Sequence, residues 1–321
     1  MADKTFGSSA GLTILAEDQA TPANGMVAHV TSSWNSGYQN GDIKGAYLSD
    51  TDDTDLVGGT DADRSVNGND LTVNGTITRT AVATGADLVA YSDFSASNYL
   101  SQAYNADLDF GTGDFCVMGW GLVASSAGGN MVGRFEPSST APDWEVRMAA
   151  DGSLAFKINS SDIVAGSQDM RTGVWFHAAV LRNSGVIYLY INGVLIDAAA
   201  DATDLNNTSA LLGVGVRNIS SPDVNWDGSL ALLRISATAP TAEQVAKIYN
   251  DEKVLFQEGA GAVLAGTSDA VTALAHDSST GLLHVGTSYG RSVFQGLRRV
   301  SNTTTAVGTA ISASNNLIVE E

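Results

Sequence analysis

The stretch Trp175-Phe176-His177-Ala178-Ala179-Val180-Leu181-Arg182, followed by Val186-Ile187-Tyr188-Leu189-Tyr190-Ile191-Asn192-Gly193-Val194-Leu195-Ile196, decides the architecture of this chain. Asn192-Gly193 is the strongest short hairpin signal in it, because a type I′ turn places both central residues at positive φ. The flanking runs are β-branched and aromatic with little polar alternation. Strands of that kind are covered on both faces, as inside a two-sheet sandwich.

The same texture extends along the chain. Strand signals recur at Leu71-Thr72-Val73 and at residues 115–120, 144–148, 154–158, 211–216 and 230–235, and turn pairs separate them at Asn74-Gly75, Asp151-Gly152 and Asp227-Gly228. With 34 glycines against 5 prolines, short strands joined by many turns are expected, and this density of turn chemistry predicts an all-β sandwich. One helix stands out. Thr241-Ala242-Glu243-Gln244 is a capping box, and Val245, Ile248 and Tyr249 follow as an i, i+3, i+4 apolar face, which predicts a helix over 241–250 packed on the sandwich.

A length of 321 residues with 44% apolar content allows one large sandwich with appendages. Residues 1–42 read as an N-terminal arm: Leu12-Thr13-Ile14-Leu15 and Met26-Val27-Ala28-His29-Val30 are too little to form a core, so the arm docks on a neighbour or on the main domain, or frays. Residues 43–252 hold the sandwich. Residues 253–321 form a small β-rich C-terminal module, with a hairpin from 270–276 and 282–287, a third strand from Ser292-Val293-Phe294 and Leu297, and Leu317-Ile318-Val319 as a terminal strand or flexible tail. Three such strands cannot bury an apolar face alone, so pairing with other subunits or with the main domain is expected.

Charge and cysteine usage narrow the function classes. Thirty-five acids against 16 bases give a net charge of −19, and the basic clusters are only Arg291 and Arg298-Arg299, so no nucleic-acid partner is expected. The single cysteine, Cys116, excludes an internal disulfide, and its apolar neighbours Phe115, Val117 and Met118 read as a buried thiol. No run approaches the roughly 20 apolar residues of a membrane span, and the first residues carry no basic-then-apolar leader. The expectation is a protein without a signal peptide or membrane insertion, assembled in a reducing cytoplasm.

Six segments resemble the concanavalin A-like, laminin-G-type jelly roll, in the expected order. The run 63–75 (D-R-S-V-N-G-N-D-L-T-V-N-G) is similar to that family's opening D-x-S-G-N-G-N-D-L-T-x-x-G, with Val66 in place of the usual glycine. Residues 108–115 with Trp120 resemble G-T-G-D-F-T-x-x-x-W, and Trp175-Phe176-His177-Ala178-Ala179-Val180 resembles W-H-H-V-A-V, with Phe176 departing. Tyr190-Ile191-Asn192-Gly193 resembles Y-V-N-G. Residues 226–235 and 241–250 resemble the last core strand and the closing helix. The resemblance implies a two-sheet jelly roll. Ser33-Trp34-Asn35 and residues 41–50 further resemble a segment of marine tailed-phage virion proteins that carry such lectin-like domains.

The same jelly roll carries glucanases, but their E-x-D-x-x-E strand is missing. Glu136 and Glu145 are nine apart and share no short strand, so no catalytic residue is expected. Asp223, Asn225 and Asp227 begin like a calcium loop, yet Arg234 occupies the position of the closing acid, leaving either a looser calcium site or a polar turn. The run Asp50-Thr51-Asp52-Asp53-Thr54-Asp55 is either a solvated turn or held by a hard cation such as calcium. Of the four histidines, His29, His177, His276 and His284, none pairs at a metal-ligand spacing. His177 is expected in the core with a satisfied ring, and His276 and His284 as a cross-strand pair. Trp144 and Tyr104 adjoin polar loops, where an exposed ring could stack on a sugar or close the sandwich rim.

No cofactor and no catalytic or metal residue is therefore assigned. The expected function is that of a virion structural protein, a tail or head fibre or a decoration subunit, that displays a lectin-like domain for host-surface glycans. Its expected partners are other virion proteins and further copies of itself, as a trimer. A purely architectural subunit and a polysaccharide-degrading enzyme are the alternatives.

Overall fold

The structure, a computed structural model, describes residues 4–6, 12–16, 26–30, 43–47, 55–57, 60–61, 63, 65, 67–84, 86, 88–123, 128–136, 138–217, 221–258, 271–295 and 298–321. Two compact units divide the chain. One comprises residues 39–80 and 89–249; the other takes the two ends of the chain together with residues 81–88.

At the N-terminal end, β1 (Lys4–Phe6), β2 (Leu12–Ala16) and β3 (Met26–Val30) pair antiparallel in that order. The larger unit is built from β4 (Ile43–Tyr47), β5 (Asp55–Val57), β6 (Thr60–Asp61), β7 (Leu71–Asn74), β8 (Thr76–Ala81), β9 (Val89–Ser92) and β10 (Tyr99–Gln102). It continues with β11 (Phe115–Leu122), β12 (Gly129–Phe135), β13 (Trp144–Met148), β14 (Leu154–Ile158), β15 (Ser161–Ala165) and β16 (Phe176–Asn183). β17 (Val186–Ile191), β18 (Val194–Ala200), β19 (Leu211–Val214), β20 (Ser229–Ser236) and the helix α1 (Ala242–Glu252) complete it.

One sheet runs β15-β14-β13-β12-β19-β10-β7-β6. The other runs β18-β17-β16-β11-β20-β9-β8-β5, with β4 also paired to β20. This is the two-sheet sandwich expected from the sequence. Inward side chains of both sheets meet in one core, in which Phe115, Val117, Phe176 and Val180 from one sheet face Trp144, Phe156 and Leu212 from the other. Phe115 stacks on Phe110 at 5.1 Å between ring centroids and meets Phe156 at 5.6 Å. Each large side chain buried this way contributes about 1.5–3 kcal/mol over its exposed state.

The central segment resolves into three strands and two tight turns. Ser184 (φ 52°) and Gly185 (φ 78°) join β16 to β17, and Asn192 (φ 52°) and Gly193 (φ 77°) join β17 to β18. β16 is buried on both faces, as its apolar run with little polar alternation predicts. β18 is not: it is an edge strand that leaves Val194, Leu195 and Ile196 exposed, so the apolar composition there does not signal double coverage. Asn74-Gly75 also departs from a simple hairpin, because β7 and β8 lie in different sheets and the turn carries the chain across.

The second coverage of β16 comes from α1. Its Val245 and Ile248 cluster with Cys116, Met118, Ala179, Leu181 and Tyr190 on the outer face of the sheet. Thr241 caps the helix as the capping box predicts. Its N–H donates to Gln244 Oε1 at 2.8 Å, and its Oγ1 accepts from the Gln244 N–H at 3.2 Å. Arg182, at the end of β16, is fully buried and donates to the carbonyls of Gly113 (2.7 Å), Thr203 (2.8 Å) and Gly111 (2.5 Å), pinning two loops at one end of the sandwich. Asp63, in the opening motif, plays the same part with the opposite charge. Its carboxylate accepts the backbone N–H groups of Ala46, Ser65 and Asn69, each at 2.8 Å.

The C-terminal module has more strands than the sequence pattern suggests. β21 (Val271–Asp277), β22 (Leu282–Thr287), β23 (Gly290–Gln295) and β24 (Arg298–Thr303) form a four-stranded meander. The terminal residues fold into a hairpin, β25 (Ile311–Ser314) and β26 (Leu317–Glu320). Ile311 and Val307 pack with Ala273 in a small core. Asp277 ties the hairpin turn down by accepting the N–H groups of Asn315 (3.2 Å) and Asn316 (2.6 Å). Together with the Ser279 hydroxyl bond, these hold its carboxyl far below the usual range.

Candidate functional site

β9 and β20 lie side by side, with Tyr91 opposite Leu230, so the end of one strand meets the start of the other. The chain turns sharply at both places. Asp93 leaves β9 at φ 62°, and Asp227-Gly228 leads into β20. A side chain at Gly228 would come within 1.9 Å of the Leu122 carbonyl, so only glycine lets this loop press against β11. Between the two turns lies a cleft of about 420 Å³ lined by Ser92, Asp93, Phe94, Trp226, Asp227, Gly228 and Ser229. Phe94 and Trp226 are buried, while Asp93 and Asp227 are exposed. Trp226 is held by a bond from Nε1 to the Ser229 carbonyl at 3.3 Å. The Asp93 loop is braced by reciprocal backbone bonds between Ser95 and Asn98, at 2.8 and 3.2 Å. The result is an open acidic cleft with hydroxyls at its wall, suited to accepting hydrogen bonds from a polyol.

At the opposite end of β10 sits Tyr104, 39% exposed. Its hydroxyl donates to Asp109 Oδ2 at 2.8 Å, and the Arg134 guanidinium lies 5.7 Å from its ring centre. The bond to Asp109 keeps the phenol protonated by raising its pKa. Trp144, the other candidate aromatic, is 1% exposed and packs on Phe110 and Phe156. It is core and offers no surface for a sugar, because β13 turns it inward while Glu145 and Arg147 alternate onto the other face.

The acids of the calcium-like loop are not gathered around one point. Asp223 is ion-paired to Arg217, whose Nε it also accepts at 3.1 Å, so its carboxylate is engaged by a cation of the chain itself. Asp227 instead lines the cleft, and Asn225 contributes an Oδ1 buried without a hydrogen-bond partner. Among the described residues no three His, Cys, Asp or Glu side chains are placed to hold a metal. Residues 50–54 of the acidic run lie outside the described residues, as do 33–42 and 48–50 of the virion-like segment.

The histidines split by environment. His177 is fully buried against Trp120 (5.4 Å) and Tyr249 (6.5 Å), but its ring is not satisfied: neither nitrogen has a hydrogen-bond partner. Burial, reinforced by the nearby Arg234 charge, pushes its pKa down to about 3. His276 and His284 do not face each other. His284 lies opposite Ala275 and His276 opposite Leu283, which puts the two rings on opposite faces of the sheet.

Among the described residues, two carboxyls carry raised pKa values. Burial pushes Asp143 up to about 6, and it raises Glu145 against the opposing pull of Arg147, Arg217 and Lys157. Asp143 accepts the Glu136 N–H (2.9 Å) and Asn207 Nδ2 (3.1 Å), a structural knot of loop ends. Neither acid lines the cleft. The residues that sequence reasoning missed are Ser92, Asp93, Phe94 and Ser229. Their only local signal is the turn-rich run Ser92-Asp93-Phe94-Ser95-Ala96-Ser97-Asn98. Among the described residues no helix is long and apolar enough to cross a membrane.

In sequence, residues 94–246 match the Concanavalin A-like lectin/glucanases superfamily. No curated protein matches the chain. In structure it is similar to domain 4 of AbnA, a GH43 extracellular arabinanase of Geobacillus stearothermophilus solved with arabinotriose, at 20% identity and a TM-score of 0.50, over 65% of this chain and 98% of that one. A trans-sialidase-active mutant of Trypanosoma rangeli sialidase follows the same fold at 8% identity and a TM-score of 0.50, over 69% of this chain and 35% of that one. The binding domain of Paraclostridial Mosquitocidal Protein 1 aligns at 15% identity and a TM-score of 0.49, over 83% and 68% of the two chains. With its two antiparallel sheets and closing helix, the middle of this chain is a jelly-roll domain of the concanavalin A-like lectin and glucanase type.

Proposed function

We propose that this chain is a non-catalytic, glycan-binding structural protein of a virion. The observation that carries the binding half is the cleft that brings exposed Asp93 and Asp227 together above Phe94 and Trp226, with Ser92 and Ser229 beside them. Carboxylates and hydroxyls accept and donate to vicinal sugar hydroxyls, and sites of this kind are grafted on loops while the sandwich stays constant. The arabinotriose held by the arabinanase domain of the same fold is consistent with this use. The non-catalytic half rests on the placement of the tuned acids: Asp143 and Glu145 are buried in the loop network and under charged side chains, away from the cleft. The virion half rests on the resemblance of residues 33–50 to marine tailed-phage structural proteins.

A glycan array probed with the full chain and with an Asp93→Ala, Asp227→Ala double variant tests the first half. The expected result is a defined set of glycans bound by the native chain and lost by the variant. Absence of any bound glycan overturns the reading and leaves an architectural subunit. Release of reducing sugar from a polysaccharide, abolished by one carboxylate substitution, overturns the non-catalytic half. Mass spectrometry of purified phage particles, with the chain absent from them, overturns the virion half.

A further inference from the structure

The geometry points to a second sugar subsite at the far end of the sandwich, with the ring of Tyr104 as its platform and an uncharged pyranose or furanose as its ligand. This rests on the glycan-binding reading but not on the Asp93–Asp227 cleft.

An exposed tyrosine normally swings freely. Tyr104 does not, because it is fixed from two sides: its hydroxyl is bound to Asp109 and the Arg134 guanidinium covers part of its ring. Those two holders are themselves locked. Asp109 Oδ1 accepts from Arg134 Nη1 at 2.6 Å and from the Asn207 N–H at 3.1 Å. Arg134, 2% exposed, also donates to the carbonyls of Leu108 (2.7 Å) and Asn207 (3.0 Å). Holding a ring rigid in solvent gains little for folding, since the apolar surface stays wet. It does gain binding, because a ligand that stacks on it immobilises nothing further.

The charge around the ring selects the sugar. Asp109 borders it, and Asp107, close by in the same loop, keeps a side chain 39% exposed although Lys44 lies 3.8 Å away. A carboxylate-bearing sugar would meet these acids at close range on a chain of net charge −19, so uronic and sialic acids are disfavoured. A neutral ring meets the Asp109 and Asp107 carboxylates as acceptors for its hydroxyls, while Arg134 is buried and already committed to Asp109 and to the carbonyls of Leu108 and Asn207. Tyr104 and Asp93 lie beyond the two ends of β10, so one domain engages two stretches of glycan at once.

The test uses the full chain labelled on its tyrosine rings, titrated with arabino-, galacto-, gluco- and manno-oligosaccharides and with galacturonic and sialylated ones. The Tyr104 ring resonances should move on adding a neutral oligosaccharide. Tyr104→Ala should weaken that component about tenfold, and Tyr104→Phe, which keeps the ring, by less than about threefold. The Asp93→Ala, Asp227→Ala variant should leave it intact. Still Tyr104 resonances while sugar binds elsewhere overturn the subsite and spare the glycan reading. Equal binding of galacturonic oligomers overturns the neutral selectivity. Failure of every sugar to bind overturns both readings. The native chain reports on its own ring, so these resonances decide the matter even where the Tyr104→Ala chain does not fold.

Discussion

Acidifying this protein from pH 7 to pH 5 should cost it about 2 kcal/mol of folding stability through one side chain, His177. The imidazole is fully buried between Trp120 and Tyr249, neither nitrogen has a partner, and Arg234 is near. All three facts oppose a charged ring, and its pKa falls from 6.5 to about 3. The unfolded chain takes up the proton near pH 6.5, while the folded chain refuses it until about pH 3. Stability is therefore lost as pH falls through that window, by about 1.4 kcal/mol per unit, reaching about 2 kcal/mol at pH 5 and about 4 kcal/mol at pH 3. Asp143 titrates in the same window with the opposite sign, since its carboxyl is pushed up to about 6 and the fold gains as it protonates. The native profile alone is thus a difference of terms, and the decisive quantity is the gap between native chain and His177→Gln. Urea titrations at pH 7, 6 and 5 measure it. A glutamine leaves a buried amide at every pH, a constant offset, so the gap should move by about 2 kcal/mol in the variant's favour between pH 7 and 5. Parallel profiles would refute the reasoning, as would an imidazole that titrates near 6.5 in the folded chain by NMR.

Arg182→Met should destabilise by about 3 kcal/mol or more, because three carbonyls lose a shared cationic donor in a buried place; a denaturation midpoint within error of the native one would contradict that role. Thr241→Ala should cost about 1 kcal/mol by removing one arm of the capping box, and Thr241→Ser should restore most of it; equal stability of all three chains by urea titration would show that the cap is idle. The chain is expected to assemble with copies of itself, since β26 leaves Leu317 and Val319 exposed and the N-terminal arm is short of a core, and as a trimer on its resemblance to virion fibre proteins; a stable monomer in sedimentation at micromolar concentration would exclude it. Residues 43–252 expressed alone should give a β-type circular dichroism spectrum and a cooperative melt, and a helical or non-cooperative fragment would sink that boundary.

Local chemistry was readable in the sequence. Asn192-Gly193 turns as its residues require, Thr241 and Gln244 cap each other, Cys116 is buried, and the strands at 115–120, 144–148 and 154–158 lie where period and composition put them. These features depend on neighbours a few residues away, and a turn type or a cap selects its residues directly. Coverage was less readable. The apolar β18 becomes an edge, and Trp144 is core although it borders a polar loop, because which face of a strand meets a second layer depends on strand order across the sheet.

The site was the least legible part. Asp223 and Asp227 are near neighbours in sequence, yet Arg217 takes one and the cleft takes the other. Asp93 and Asp227 are far apart in sequence and meet only because β9 pairs with β20. Tyr104 was visible as an aromatic beside a loop, but its rigid exposure required Arg134, on β12, to reach Asp109 in the loop after β10. By itself, then, the sequence determined the fold class, the turns, the closing helix and the acidic net charge, all set by composition and short-range pattern. The tertiary structure alone decided which carboxylates share a cleft, which histidine is stripped of partners and which aromatic stays in solvent, because pairing between distant strands places those groups and no local pattern encodes it.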